Sequence, residues 1–293
     1  MPFPDVRSLR LTFRTPEAVE LPCLPTVAFH SVFGSALRAV CCEMPEQTPC
    51  AGCGQSGCCA YPLLFEPEGA LGMGEGVTNR APPPVVIAPE EPVLSSAPVL
   101  LAAGARIRIR MTLIGATALA HERLALRAMA LGCEGGLGRA PGPRKDYVPM
   151  ELEEASPIRP STAESARSCR LELVSPLRLK SEGRILSRPT PSALLGGLIR
   201  RADVLARSHG AAPAPAAPAL DGVQLVGADL RVIDVRRWSA RQRRSMLLPG
   251  VVGTIEMQGA LAPVWDWLAF GELVQIGKGT SLGFGRYRLL LSR

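Results

Sequence analysis

A glycine-rich run near the C-terminus carries residue types that bind anions. Residues 271–288 contain Gly271, Gly277, Gly279, Gly283 and Gly285. Glycine at this density lets backbone N–H groups approach a phosphate closely. The run also holds three basic side chains, namely Lys278, Arg286 and Arg288. Such turns also occur as plain tight loops, so a phosphate-binding interpretation needs support from the rest of the chain.

A second basic segment lies just upstream, at residues 236–244. It combines one tryptophan with five arginines: Trp238, Arg236, Arg237, Arg241, Arg243 and Arg244. Arginine binds phosphate through a bidentate fork, and tryptophan can stack on an unpaired base. The segment therefore indicates contact with single-stranded nucleic acid. The alternative is a solvated basic turn with a half-buried tryptophan.

Six of the nine cysteines lie within nineteen residues, between Cys41 and Cys59. A disulfide framework is not expected, because the chain shows no export signal. Four thiolates can bind one tetrahedral zinc ion, and the candidate ligands are Cys42, Cys50, Cys53 and Cys59. The irregular spacing leaves a metal-free thiol segment as the alternative. Catalytic zinc is not expected, since no histidine or carboxylate pattern lies nearby.

The bulk properties predict a soluble, cytoplasmic protein of two domains. The chain has 293 residues, of which 47% are hydrophobic, and one domain usually takes about 100–200 residues. No apolar run approaches the ~18 residues of a membrane span, and the N-terminus lacks the features of a signal peptide. We therefore expect no membrane partner.

The positive charge is confined to one half of the chain. Residues 1–150 hold 13 basic and 13 acidic residues, so the net charge of +7 lies entirely in residues 151–293. A basic half is typical of a protein that binds a polyanion. An ordinary solvated basic surface is the alternative.

The predicted elements repeat in the two halves. The first half gives strand 6–13, helix 28–42, strands 85–88 and 106–114, helix 117–131, a glycine-rich turn 132–139 and strand 147–152. The second half gives strand 170–180, helix 191–207, strands 223–238 and 251–257, helix 261–273, the glycine-rich run and strand 287–291. Two β-α-β-β-α-β units predict an α+β protein of tandem ferredoxin-like, or RRM-like, domains. We place them at residues 1–155, with a cysteine-rich insertion or knob at about 41–65, and at residues 168–293.

Two features of the first half stay open at this stage. His30 lies at a strand-to-helix turn, where ligand-facing groups often lie, but it can equally be a satisfied or exposed histidine. Arg106, Arg108 and Arg110 alternate with apolar residues along one strand. They can track a phosphate backbone or form the solvated side of a sheet.

Several motifs together resemble the CRISPR repeat-processing endoribonucleases of the RAMP superfamily, and the resemblance covers nearly the whole chain. In the first half it rests on residues 33–34, 36–38, 59–61, 64–66 and 136–139. In the second half it rests on residues 238–242, 250–253, 268–272 and 277–287. The last motif is specific in combination with residues 238–242.

The resemblance implies metal-independent cleavage of precursor crRNA at the base of a repeat stem-loop. The 2′-hydroxyl attacks the adjacent phosphate, which leaves a 2′,3′-cyclic phosphate and a 5′-hydroxyl. Such a reaction needs a base for the 2′-hydroxyl proton and positive charge on the phosphate oxygens. No cofactor is implied for catalysis. The implied partners are crRNA and other subunits of a CRISPR effector complex.

The chain departs from the family pattern at one position. Many members carry a histidine just before the Gly-Lys of the last motif, where this chain has Gln275. Glutamine can orient a hydroxyl, but it does not exchange a proton near neutral pH. His30 is then the best remaining candidate base, because relatives often place a catalytic histidine at the start of the first helix.

An arginine-based site is the alternative, as in the processing enzymes of type IV systems. Arginine is not a base at pH 7, but Arg38 and Arg243 can stabilise the phosphate and position the 2′-hydroxyl. The predicted catalytic residues are thus His30, Arg38 and Arg243. The predicted RNA-binding residues are Arg139, Arg236, Arg237, Trp238, Arg241, Arg244, Gly277, Lys278, Gly279, Thr280, Ser281, Gly283, Gly285 and Arg286.

Two other functions are compatible with parts of this pattern. A non-catalytic RAMP subunit that only holds crRNA would explain Gln275 in place of a histidine. A zinc-knob RNA-binding module outside the superfamily would explain the cysteines, but it would not explain the glycine-rich turn in each half.

Overall fold

The computed structural model describes residues 3–45, 48–50, 52–67, 81–141, 146–158, 166–210, 212, 215–239 and 244–291. Within these residues the chain forms three antiparallel four-stranded sheets and one two-stranded sheet, and the two largest sheets each pack against helices. The third four-stranded sheet is smaller and lies beside the first. None of the described helices is long and apolar enough to cross a membrane.

In the described part of the first half there are eight strands and four helices. They are β1 (Val6–Arg14), β2 (Val19–Leu21), α1 (Thr26–Cys41), α2 (Ala60–Leu64), β3 (Val85–Pro89), β4 (Val99–Leu101), β5 (Arg106–Ile114), α3 (Gly115–Ala120), α4 (Glu122–Glu134), β6 (Gly138–Arg139), β7 (Tyr147–Val148) and β8 (Glu151–Ile158).

The second half contains six strands, two helices and two short 3₁₀ turns. They are β9 (Ser168–Leu177), β10 (Lys180–Ser181), β11 (Arg184–Ile185), α5 (Pro191–His209), β12 (Val223–Ser239), β13 (Arg244–Gly259), a turn at Ala262–Val264, α6 (Trp265–Val274), a turn at Thr280–Leu282 and β14 (Tyr287–Leu291).

The two large sheets have the same topology. The first has the order β3-β5-β1-β8 and the second the order β12-β13-β9-β14. In both, the first and third strands of the unit are central and the second and fourth are at the edges. This is the arrangement of a β-α-β-β-α-β unit, which confirms the predicted tandem ferredoxin-like α+β fold. The domain boundaries at residues 155 and 168 stay predictions.

The closing strand of the first sheet differs from its prediction. The sequence favours a strand at 147–152 followed by a polar linker, but β8 runs from Glu151 to Ile158 and pairs with β1. Most residues of β8 are exposed or half-buried. Because no residue of β8 is fully buried, its sequence carries no apolar pattern that would mark it as a strand.

The arginines of β5 are bound to carboxylates of the protein itself. Arg106 Nε lies 2.5 Å from Glu153 Oε2, and Arg108 Nη2 lies 2.7 Å from Glu91 Oε1. Arg110 Nε lies 2.9 Å from Glu90 Oε1. These ion pairs neutralise the arginine side of β5, so the structure favours a role for these arginines within the protein over contact with a phosphate backbone.

A buried ion cluster joins the two halves at Glu90, which follows β3. Its carboxylate lies 2.9 Å from Arg110 Nε and 3.0 Å from Arg286 Nη2, and Arg10 lies at 3.4 Å. Arg286 is 2% exposed and also donates to the Pro89 carbonyl. Burial alone would raise the pKa of Glu90, but Arg286, Arg110 and Arg10 outweigh it and lower the pKa. The carboxylate therefore stays ionised.

Part of the glycine-rich run is packed inside this junction. Gly283 faces Thr26 of α1, and a Cβ there would lie 2.2 Å from Thr26 Oγ1. Gly285 has φ +76°, and its Cβ would lie 1.8 Å from the Ile276 carbonyl oxygen. Both positions thus require glycine for close packing.

Gln275 holds the same run from inside. It ends α6 with φ +64° and is 2% exposed. Its side-chain amide nitrogen donates to the carbonyl oxygens of Thr280 at 2.7 Å and of Phe284 at 2.9 Å. Gln275 is therefore a structural clamp of the loop, and it does not present a side chain that could orient a substrate hydroxyl.

We expect Glu90→Gln to lower the free energy of unfolding by about 3–5 kcal/mol, because it leaves the buried Arg286 without its counter-ion. Thermal and denaturant unfolding would measure the change. Glu91→Gln is the matched control: its partner Arg108 is exposed, so its loss should cost less than about 1 kcal/mol. Equal effects of the two substitutions would contradict a role for Glu90 as the junction.

We expect Gln275→Ala to lower the free energy of unfolding by about 1–3 kcal/mol, because two buried carbonyls lose their donor. The control is Gln258→Ala, an exposed glutamine of β13, which should change stability by about 0.5 kcal/mol or less. Denaturant melts of both variants give the comparison. A Gln275 variant as stable as the Gln258 variant would show that the clamp is dispensable.

Candidate functional site

A groove of about 2610 Å³ lies between the two halves of the chain. Its described lining residues include only three acids, Glu20, Glu66 and Asp203, and Asp203 is already paired with Arg207. Eight lining residues are basic: Arg139, Arg178, Lys180, Arg200, Arg201, Arg236, Arg237 and Lys278. This excess of positive charge suits a polyanion.

The groove brings together many of the residues that the sequence singled out. His30 of α1 lies on one side and Arg237 of β12 acts on it from the other half. The predicted residues that line the groove are His30, Arg139, Arg236, Arg237, Gly277, Lys278, Gly279 and Ser281. Four separate parts of the sequence thus meet at one site, which is a property of the fold and not of any single motif.

Other predicted residues lie elsewhere. Thr280, Gly283, Gly285 and Arg286 are buried in the junction. The prediction that Arg286 binds RNA is wrong for a physical reason, since its guanidinium is committed to Glu90 and Pro89 and does not reach solvent. Thr280, Gly283 and Gly285 shape the loop from inside and do not offer contacts to a ligand.

Arg38 does not join His30, although both lie on α1. Its Nη2 donates to the Thr48 carbonyl at 2.7 Å, and its guanidinium lies 5.5 Å from the centre of the Tyr61 ring. Arg38 is not among the described residues that line the groove. It therefore anchors the cysteine segment to α1, and its predicted part in catalysis is not supported.

The arginine-rich segment is only partly covered. Arg241 and Arg243 lie outside the described residues, as does the side chain of Trp238. Arg244 begins β13 opposite Ser239 and is not among the described lining residues of the groove. The predicted roles of Arg241, Arg243 and Trp238 stay predictions.

His30 lies in the second turn of α1, with its ring against Phe65. The ring centroids are 4.6 Å apart and the planes are inclined by 35°. Burial, and then the positive charge of Arg237, lower the pKa of His30 to about 3. The imidazole is therefore neutral at pH 7 and keeps a lone pair that can accept a proton.

Arg237 is held beside His30 with spare capacity for hydrogen bonds. Its Nε is buried and, within the described part of the chain, has no hydrogen-bond partner. Burial lowers its pKa from the usual value, yet the group remains a cation near pH 7. Because Arg237 lines the groove, its guanidinium charge is available to a phosphate there.

Four basic residues of the groove escaped the sequence analysis as site residues. Arg178 and Lys180 follow the end of β9, and Arg200 and Arg201 lie on α5. Arg178 is fixed by a bond to the Pro249 carbonyl, 2.8 Å long, and lies over the Phe284 ring. The signal in the sequence was the position of Arg200 and Arg201 outside the apolar stripe of their helix.

The four proposed zinc ligands do not form a metal site. Cys42, Cys50, Cys53 and Cys59 line one small pocket, but no three Cys, His, Asp or Glu groups among the described residues are arranged to hold an ion. The Cys59 thiol is directed to the Cys41 carbonyl at 3.6 Å and the Cys42 thiol to the Met44 carbonyl. The described residues therefore do not support the predicted structural zinc.

Comparison with known proteins agrees with this architecture. The family model AF_1859_N, described as an N-terminal domain, matches residues 3–170, and the model described as CRISPR-associated endoribonuclease Cas6 matches residues 171–287. A sequence search among curated proteins finds no match.

Solved structures share the fold over almost the full length. A product complex of a Thermus thermophilus Cas6 aligns with TM-score 0.59 and 15% identity, over 97% of this chain and 99% of that one. A Cas6-related protein from Pyrococcus furiosus aligns with TM-score 0.57 and 10% identity, over 99% and 100%. A RAMP protein described as binding different RNA substrates aligns with TM-score 0.53 and 13% identity, over 97% and 99%. At these identities the likeness is one of fold.

The two family models together cover residues 3–287, and the first alone spans more than half of the chain. Their order along the chain matches the two ferredoxin-like units and the groove between them. Residues 3–170 therefore belong to the AF_1859_N family of N-terminal domains, and residues 171–287 belong to the CRISPR-associated endoribonuclease Cas6 family.

Proposed function

We propose that this protein binds CRISPR repeat RNA in the groove and cleaves it by attack of a 2′-hydroxyl on the adjacent phosphate. The observation that carries the proposal is the neutral His30 beside the cationic Arg237 on the wall of a basic groove. Membership of an endoribonuclease family supports the choice of reaction. The solved relatives in complex with RNA products support the choice of ligand.

His30 is the general base in this proposal. The neutral imidazole removes the proton of the 2′-hydroxyl as its oxygen attacks phosphorus, and the bond from phosphorus to the 5′-oxygen breaks. The products are a 2′,3′-cyclic phosphate and a 5′-hydroxyl, whose oxygen takes a proton from solvent. As the imidazole becomes a cation, the nearby phosphate charge stabilises it, which offsets the unfavourable effect of Arg237.

Arg237 stabilises the phosphate in the transition state. The side chain lines the groove, so its positive charge can act on the non-bridging oxygens, on which negative charge accumulates during attack. No step in this scheme requires a metal ion.

The rest of the groove holds the RNA. Lys278 is exposed, and its backbone N–H is bonded to the Arg178 carbonyl at 2.9 Å, which fixes the loop to the end of β9. Arg139, Lys180 and Arg200 are also exposed along the groove. Contacts of this kind are electrostatic and independent of sequence, so they supply affinity and position the backbone.

A non-catalytic crRNA-holding subunit is the competing function, since Gln275 replaces the histidine that many relatives carry before the Gly-Lys. Burial of Gln275 in the loop removes that position from the reaction. The two functions share the RNA ligand and differ in cleavage. Retention of the mature crRNA and association with effector subunits stay predictions for either.

We expect purified protein to cut its repeat RNA in EDTA, and His30→Ala to lower the single-turnover rate by about 10²–10⁴-fold through loss of the base. Arg237→Ala should lower it by about 10²–10³-fold through loss of transition-state stabilisation. Denaturing gels and the identity of the product ends give the measurement. His121→Ala is the matched control, because His121 is outside the described lining of the groove.

The other outcomes of that experiment each distinguish between the candidate functions or mechanisms. Binding without cleavage by the wild-type protein would establish the crRNA-holding subunit. Cleavage that survives His30→Ala but not Arg38→Ala would exclude His30 as the base and restore the arginine mechanism. Cleavage that stops in EDTA and returns with added metal would exclude the metal-independent scheme.

The pH profile of cleavage should be flat across neutrality. A base must be unprotonated, so its rate falls as pH falls through its pKa, and the pKa of His30 in the free protein is about 3. We expect kcat/KM to change little between pH 8 and 5, whereas an ordinary histidine would cause a roughly tenfold fall per pH unit below 6.5. As pH is lowered, kcat should begin to fall at a higher pH than kcat/KM does, because bound phosphate raises the pKa of His30.

A further inference from the structure

Phe65, the residue that ends α2, is placed against the one groove histidine. Its ring lies 4.6 Å from the His30 ring, centre to centre, and both residues are among those lining the groove. Rings at this separation and tilt interact favourably. The contact thus forms one wall of the space in which His30 would meet RNA.

The position of the Phe65 ring is fixed by several neighbours. The rings of Phe33 and Tyr61 lie 6.0 Å and 5.5 Å away. Gly34 provides the space: a Cβ there would lie 2.2 Å from Phe65 Cζ and 2.6 Å from both Cε atoms. His30, Phe33 and Gly34 stand at positions i, i+3 and i+4 of α1, so the ring covers one face of that helix.

We propose that Phe65 is a positioning residue for His30, resting on the proposed function of His30 as base. The ring fixes the plane of the imidazole, shields one of its faces from water, and leaves the opposite side open to the groove. A general base is usually oriented by a hydrogen-bond partner on its second nitrogen. His30 shows no such partner among the described residues, so the aromatic contact takes that part.

The charged group that acts on the imidazole is Arg237 of β12, from the other half of the chain. Burial is the larger cause of the low pKa of His30, and Arg237 is the smaller. Phe65 contributes to the burial of His30, because its ring occupies space that water would otherwise fill. Removal of the ring should therefore change His30 even while Arg237 remains in place.

The test uses the imidazole NMR signals of the full-length protein, which has only three histidines: His30, His121 and His209. The His30→Ala spectrum assigns the His30 signal. In Phe65→Leu, which keeps apolar bulk but removes the ring, we expect the pKa of His30 to rise toward 6.5. The His121 signal, recorded at one fixed pH, should keep its wild-type chemical shift. Phe65→Tyr retains the ring and should keep the wild-type pKa.

Cleavage and binding assays on the same variants separate positioning from folding. We expect Phe65→Leu to lower the single-turnover rate by up to about 100-fold, as misplacement of a catalytic group does, with little change in RNA affinity. Phe65→Tyr should cleave at close to the wild-type rate, because it retains the ring. Gly34→Ala is a second route to the same result, because its methyl group displaces the ring without removing it.

A Phe65→Leu variant that melts earlier but keeps the wild-type His30 titration and cleavage rate would overturn the proposal. If Phe65→Leu does not fold, the His30 titration and the cleavage rate of Gly34→Ala are compared with those of the wild-type protein in its place. Failure of the proposed function looks different: the wild-type protein would leave RNA uncut. The NMR titration would then still decide whether Phe65 controls the His30 imidazole.

Discussion

The pairing of Glu90 with Arg286 is the constraint on which the rest of the architecture depends. Two charged groups have been removed from water at the junction of the two units, and each is tolerated only because the other is present. The charge pair is specific in geometry, so it fixes how β3 of one unit meets the loop before β14 of the other. An apolar contact of equal area would permit sliding.

The groove follows from that junction. With Arg286 anchored, the preceding residues of the glycine-rich run are drawn against α1 at Gly283, and the remainder is left facing outward at Lys278. The start of α1 therefore lies across from β12, which brings His30 within the field of Arg237. The site is thus assembled from two units that have the same fold but contribute different chemistry.

The sequence predicted the architecture well because apolar periodicity reports which faces are buried. It found α1 and α5, the order of elements in both units and the groove histidine. It missed most of β8, because none of the residues of that strand is fully buried. It also placed Arg286 on the surface, because burial of an arginine depends on a carboxylate nearly two hundred residues away. Arg178 was missed because its position depends on contacts with Pro249 and Phe284, which are distant in the sequence.

The carboxylates that occupy the arginines of β5 have an effect on how the protein meets a distant polyanion. Because Glu90, Glu91 and Glu153 cancel those charges, the face of β5 adds little positive charge, whereas the described groove lining has eight basic residues and three acids. Its field turns an approaching nucleic acid toward the groove before contact, and added salt shortens the range of that guidance to about 10 Å or less. Orientation is thereby set during diffusion, and the groove has only to complete it.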